Sequence, residues 1–184
     1  VGSEMCIRDR LSIFLLFLTA FLPFCITYHA APWATFYTES IAILLLCFCG
    51  IVQIRFTRWG GMKLFPIQVA VIGCFILLQP LYLKIPYTSV TFVAASYFFV
   101  SALAIIIAYD MRGEYGLNRI CDALAWAFLL GSSYNCVVML YQVSINWPPM
   151  GALYQANNTI DYCALGMVSA YYCLLYTSPS PRDS

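Results

Sequence analysis

Charge is nearly missing from this chain. Asp, Glu, Lys and Arg make up 9% of its 184 residues, against 62% that are hydrophobic. A soluble domain carries about 25% charged and about 45–50% apolar residues, so this composition excludes an ordinary water-soluble fold. A mean hydropathy of +0.82 says the same. The nine Lys and Arg are scattered rather than gathered in a stripe, and the net charge is +1, so no nucleic-acid partner is expected. Histidine occurs once, as His29, and no Cys/His cluster has ligand spacing, so no metal is expected. G-x-S-x-G, P-loop and H-E-x-x-H patterns are all missing. Each of those patterns carries a nucleophile, a phosphate cradle or a zinc site, and no cofactor is expected without them.

Cysteine, by contrast, is abundant. Cys25, Cys47, Cys49, Cys74, Cys121, Cys136 and Cys163 lie in apolar runs without C-x-x-C spacing, which predicts small buried hydrophobes rather than a disulfide scaffold. Cys6 and Cys173 fall in two terminal stretches, VGSEMCIRDR and CLLYTSPSPRDS, that differ from everything between them. Both stretches resemble translated sequencing-adapter read-through. Residues 1–10 and 173–184 are therefore expected to be non-native, and the reading rests on 11–172.

Six stretches approach the length of about 20 apolar residues that a helix needs to cross a bilayer. They cover about 11–28, 38–54, 64–83, 88–109, 120–142 and 160–175. Runs such as LLLCFCGIV are apolar all round, whereas barrel strands alternate, so the expected fold is all-α: a polytopic membrane bundle of about six transmembrane helices. Arg55, Arg58 and Lys63 follow the second span and Arg112 and Arg119 the fourth, while the odd-numbered connections hold only Lys84. Positive charge stays inside, so the amino terminus is expected in the cytoplasm. Trp33, Trp59 and Trp147 fall at span ends, where amphipathic rings favour the headgroup region. Asp110, Arg112, Glu114, Arg119 and Asp122 read as a solvated cytoplasmic connection.

Two polar groups then stand out on the outer face. In YHAAPWATFYTES, residues 28–40, Thr35 or Thr38 is a candidate helix cap, and Glu39 meets a favourable dipole near a helix start. His29 and Glu39 are either interfacial residues or a pair that orients a charged substrate or relays a proton. In GALYQANNTIDY, Gly151 to Tyr162, Asn158 or Thr159 is a candidate cap for the last helix with Asp161 in its first turn. Capping leaves Gln155 and Asn157 over, and these amides either tie loops to helices or donate to a phosphate or sugar.

Taken together, His29 to Glu39 resembles the pattern H-x-x-P-x-x-x-F-x-x-E of bacterial protein O-oligosaccharyltransferases of the pilin-glycosylating type, in the O-antigen ligase and polymerase superfamily. Gly151 to Asn158 resembles that family's G-x-x-x-Q-P-N-H element, with Ala156 in the Pro position and Asn158 in the His position. A small-residue helix with Ala164, Gly166 and Ala170 follows, and Leu78-Gln79-Pro80 and Tyr141-Gln142 are also family-like. The resemblance implies a glycosyltransferase of the bacterial inner membrane. Its partners would be a polyprenyl diphosphate-linked oligosaccharide and, as acceptor, a pilin-like protein hydroxyl or a lipid A core sugar, met at the periplasmic face. It implies inverting, metal-independent chemistry, with the catalytic basic residues in a large loop downstream of this region. Gln155, Asn157, Asn158, His29 and Glu39 are then substrate-binding or supporting residues, and no catalytic residue is assigned. A transporter or channel subunit is the alternative.

Overall fold

A computed structural model of the chain describes residues 2–27, 36–53, 64–83 and 88–177. These residues are helical almost throughout and contain no strand, as the apolar, non-alternating runs imply. The helices are α1 (Gly2–Phe21), α2 (Phe36–Gln53), α3 (Leu64–Leu83), α4 (Thr88–Tyr115), α5 (Leu117–Ser144) and α6 (Ala156–Thr177), with a short 3-10 turn at Leu22–Cys25 after α1. Helix α1 is continuous across Arg10 and Leu11, and α6 across Tyr172 and Cys173. Among the described residues three helices are long and apolar enough to cross a membrane: Phe65–Leu83, Thr88–Tyr115 and Leu117–Ser144. Tyr37–Gln53 is apolar but shorter. Arg55, Arg58, Lys63, Lys84, Trp33 and Trp59, which carry most of the orientation and boundary argument, lie outside the described residues.

One sequence expectation is corrected by the helix ends. The charged stretch from Asp110 to Asp122 is not an open connection: α4 stays helical to Tyr115, α5 begins at Leu117, and only Gly116 intervenes. The reason is length. A helix of 28 residues rises about 42 Å, whereas the hydrocarbon layer is about 30 Å thick, so charged turns can continue a helix beyond it. Arg112 in the last turn of α4 is favourable to the helix dipole. Gly116 makes the break with φ 78° and ψ 158°, a conformation that is essentially reserved for glycine. Within α3, Pro80 removes one helical donor close to the C-terminal end, where few turns remain to be disrupted.

The chain divides into two compact units, Gly50–Glu114 and Val1–Cys49 with Tyr115–Ser184. In the first, Ile107 and Met111 are fully buried. A Cβ added to Gly73 would lie 3.2 Å from Phe98 Cβ, so α3 and α4 approach closely there. The buried amide of Gln53 donates to Glu114 Oε2, giving a carboxylate on this helix a partner.

In the second unit α5 packs against α6 and α1. Its buried residues are small or polar: Ala123, Ala125, Ala127, Gly131, Ser132, Asn135 and Gln142. Large apolar side chains of the same helix, such as Leu140, instead point outward. Lipid tails solvate Leu as well as a protein core does, so close helix approach through small residues becomes the main source of packing energy. Gly166 lies directly against Ser132, and Gly131 against the Tyr162 ring, with no room for a Cβ at either glycine. The cysteine expectation is also corrected. Cys49 is buried, but Cys47, Cys74 and Cys136 are exposed and the rest intermediate, because outward positions on such helices can be apolar too.

Gly166→Val should therefore separate α5 from α6 and lower stability by about 1–3 kcal/mol, the usual cost of overpacking. Ala164→Val, at an exposed position of the same helix, should stay within about 0.5 kcal/mol of wild type. Denaturant or thermal unfolding in detergent distinguishes the two. Equal effects would remove the close-packing argument.

Candidate functional site

The second unit holds a folded loop between α5 and α6. Helix α5 ends in two backbone bonds, from Trp147 N to Gln142 O at 2.8 Å and from Asn146 N to Val143 O at 3.0 Å. This pairing needs a left-handed residue just past the helix end, and Asn146 supplies it with φ 58°. Pro148 and Pro149 follow and prevent the helix from resuming.

Beyond them the backbone is tied down by side chains rather than by secondary structure. Gln142 Oε1 accepts from Met150 N at 2.8 Å and Gly151 N at 2.9 Å, while its Nε2 donates to Gly151 O at 3.2 Å. Asn135 Oδ1 accepts from Ala152 N at 2.9 Å. Thr159 Oγ1 donates to Met150 O at 2.6 Å. Gly151 has φ 67°, and a Cβ there would meet Thr159 Cγ2 at 2.5 Å, so both conformation and space require glycine. Each bond is worth about 0.5–1.5 kcal/mol net, but a buried group left unpaired costs about 1–3 kcal/mol.

The same amide reaches a third segment. Asn135 Nδ2 donates to Phe24 O at 2.9 Å and to Gly131 O at 3.0 Å. The Phe24 ring stacks on Tyr162 with centroids 4.3 Å apart and planes within 10°. Tyr162 is itself buried and donates its hydroxyl to Ala20 O at 3.0 Å. Phe128 closes an edge contact on that ring at 5.9 Å. The 3-10 turn after α1 is thus held to α5 by an amide and to α6 by a ring.

Above this fixed floor opens a cleft of about 360 Å³, lined by Phe24, Thr38, Glu39, Leu153, Asn158 and Asp161 among others. Two of the expected site residues, Glu39 and Asn158, meet there although they are far apart in sequence. Asp161, expected in the first turn of the last helix, joins them. Gln155 is not part of the lining but accepts from Asn158 Nδ2 at 2.8 Å, holding that amide at the rim. Asn157 is exposed and does not line the cleft. His29 lies outside the described residues.

The capping expectation for GALYQANNTIDY is corrected. Helix α6 begins at Ala156, so Asn158 and Thr159 are already inside it and Asp161 stands beyond its first turn. Thr159 is fully buried and its hydroxyl serves the loop carbonyl of Met150 instead. The amides bonded to the loop backbone are those of Asn135 and Gln142, while Gln155 pairs with the Asn158 side chain. Sequence reasoning missed Asn135 altogether and noted Gln142 only as part of a pattern. A signal existed: two amides seven residues apart in an apolar helix share one face.

Chemically, the cleft offers two carboxylates, the hydroxyls of Thr38 and Tyr162 and an amide amid apolar walls, and no Lys or Arg is among its described lining residues. Such a set accepts hydrogen bonds from hydroxyls. No family model, no curated protein and no solved structure matches the chain.

Asn135→Leu would remove the amide that bonds Ala152 N, Phe24 O and Gly131 O, and should lower stability by about 1–3 kcal/mol. It should also speed proteolysis between Ile145 and Gln155. Asn157→Ala, at an exposed site, should change stability by no more than about 0.5 kcal/mol. An Asn135→Leu protein as stable and protease-resistant as wild type would mean that the loop is held elsewhere.

Proposed function

We propose that the chain is the amino-terminal membrane region of an oligosaccharide-transferring enzyme of the O-antigen ligase and polymerase type. On this reading it lies in the bacterial inner membrane with six spans and its amino terminus in the cytoplasm. The three helices long and apolar enough to cross a membrane support the setting. Helices α1 and α6, which pack against α5, and the shorter α2 would complete the count.

The observation that carries the proposal is the convergence of Glu39 and Asn158 in one cleft. They come from the two sequence patterns that resemble the family, and those patterns are more than a hundred residues apart. A site for transfer to a hydroxyl needs acceptors that hold sugar or Ser/Thr hydroxyls near the membrane surface. Glu39, Asp161 and Thr38 provide such groups, and the apolar walls suit the body of a lipid-borne substrate. The diphosphate of a polyprenyl carrier requires cations, and none is among the described lining residues. The transporter alternative is weaker. Its path would need unspent polar groups within the bundle, but Asn135 and Gln142 are occupied with backbone partners.

The test is transfer of oligosaccharide from a polyprenyl diphosphate donor to a pilin-like acceptor or lipid A core by membranes containing the complete protein. Glu39→Gln and Asp161→Asn should each lower transfer roughly ten- to a hundredfold, the equivalent of about 1.5–3 kcal/mol for a hydrogen bond to a charged group. The amount of protein in the membrane should not change. Wild-type transfer in both variants, or no transfer by the wild-type protein with either acceptor, would overturn the reading.

A further inference from the structure

Next to the residues that fasten the loop stand two thiols. Cys136 follows Asn135 on α5, and Cys163 follows Tyr162 on α6. Their sulfurs are 3.9 Å apart. Cys136 is exposed and Cys163 is intermediate, so a reagent can reach the pair without opening the helix contact. Both residues lie in the same compact unit, on the two helices whose small residues interlock. A disulfide needs the sulfurs to close to about 2.05 Å, which side-chain rotation can supply when the backbones are already neighbours. Nothing in the spacing of 27 residues between them pointed to this pairing.

We propose that Cys136 and Cys163 are a disulfide-forming pair that cross-links α5 to α6, oxidised by exchange with a disulfide reagent or a disulfide-bearing protein. The more exposed Cys136 gives up its proton and attacks one sulfur of the oxidant, whose own disulfide bond breaks and whose other sulfur leaves and takes a proton. Cys163 gives up its proton and attacks Cys136 Sγ in the resulting mixed disulfide, and the second thiol departs with that proton. Two electrons and two protons have then passed from the protein to the oxidant, which is reduced from one disulfide to two thiols. The new bond holds together the two helices at the level of Asn135 and Tyr162, so it fixes the floor of the cleft in its closed-packed form. The inference stands on the geometry of the pair and is independent of the activity proposed above.

The protein in membrane vesicles is treated with dipyridyl disulfide, an apolar reagent able to reach thiols within a bilayer, then digested and mapped by mass spectrometry. The wild-type protein should yield a peptide pair joined through Cys136 and Cys163, lighter than the separate peptides by two hydrogen atoms and free of pyridyl groups. Added dithiothreitol should reverse the mass change. In a Cys163→Ser variant, Cys136 should retain a single pyridylthio adduct, because the resolving thiol is gone. Recovery of the two wild-type residues as free thiols, as separate adducts, or joined to other cysteines would overturn the proposal. The decisive arm uses the wild-type chain, so it does not depend on the variant folding.

Discussion

The side-chain amide of Asn135 is the interaction on which the larger unit depends. Its oxygen accepts from Ala152 N in the loop before α6, and its nitrogen donates to Phe24 O in the turn after α1. One fully buried residue therefore joins three segments distant in sequence. Backbone away from helices carries polar groups that apolar surroundings cannot satisfy. Gln142 and Thr159 extend the same solution along the loop by pairing Met150 and Gly151. With these groups satisfied, an irregular segment can lie against an apolar bundle instead of standing out from it.

A second constraint, shared by α5 and α6, is that size rather than hydrophobicity decides what faces inward. Alanine, glycine and serine line the contact, and bulky Leu140 and Met167 point away from it. This inverts the pattern of a soluble bundle, where the largest apolar residues are the most deeply buried. It follows from the solvent: when lipid accepts Leu as readily as the interior does, the advantage passes to side chains that let backbones approach. Tyr162 is the exception. It has space because Gly131 lacks a side chain, and its hydroxyl finds Ala20 O.

These two constraints together make the cleft. The stacked rings of Phe24 and Tyr162 give it a rigid base, and the pinned loop brings Leu153 to one side. Carboxylates from α2 and α6 then face a common space, with no Lys or Arg among the described lining residues. The chemistry these groups offer is hydrogen-bond acceptance, which suits hydroxyl groups.

The sequence by itself determined the class of structure, because a chain that is 62% hydrophobic with few charges has no soluble fold open to it. It also located α2, α3, α5 and α6 to within about four residues, whereas α1 (Gly2–Phe21) departs from the expected 11–28 at both ends and α4 runs on through the charges to Tyr115. Propensity and length suffice for that, since each helix satisfies its own backbone. Which polar residues matter was decided only by the tertiary structure. On helices apolar all round no periodicity separates the inner face from the outer, so Asn135 was overlooked and seven cysteines were all expected to be buried. Gln155 and Asn157 drew notice by clustering, yet burial and loop contacts belong to Gln142 and Thr159. Both stretches were expected on the outer face, but that Glu39, Asn158 and Asp161 line one cleft depends on how distant segments pack.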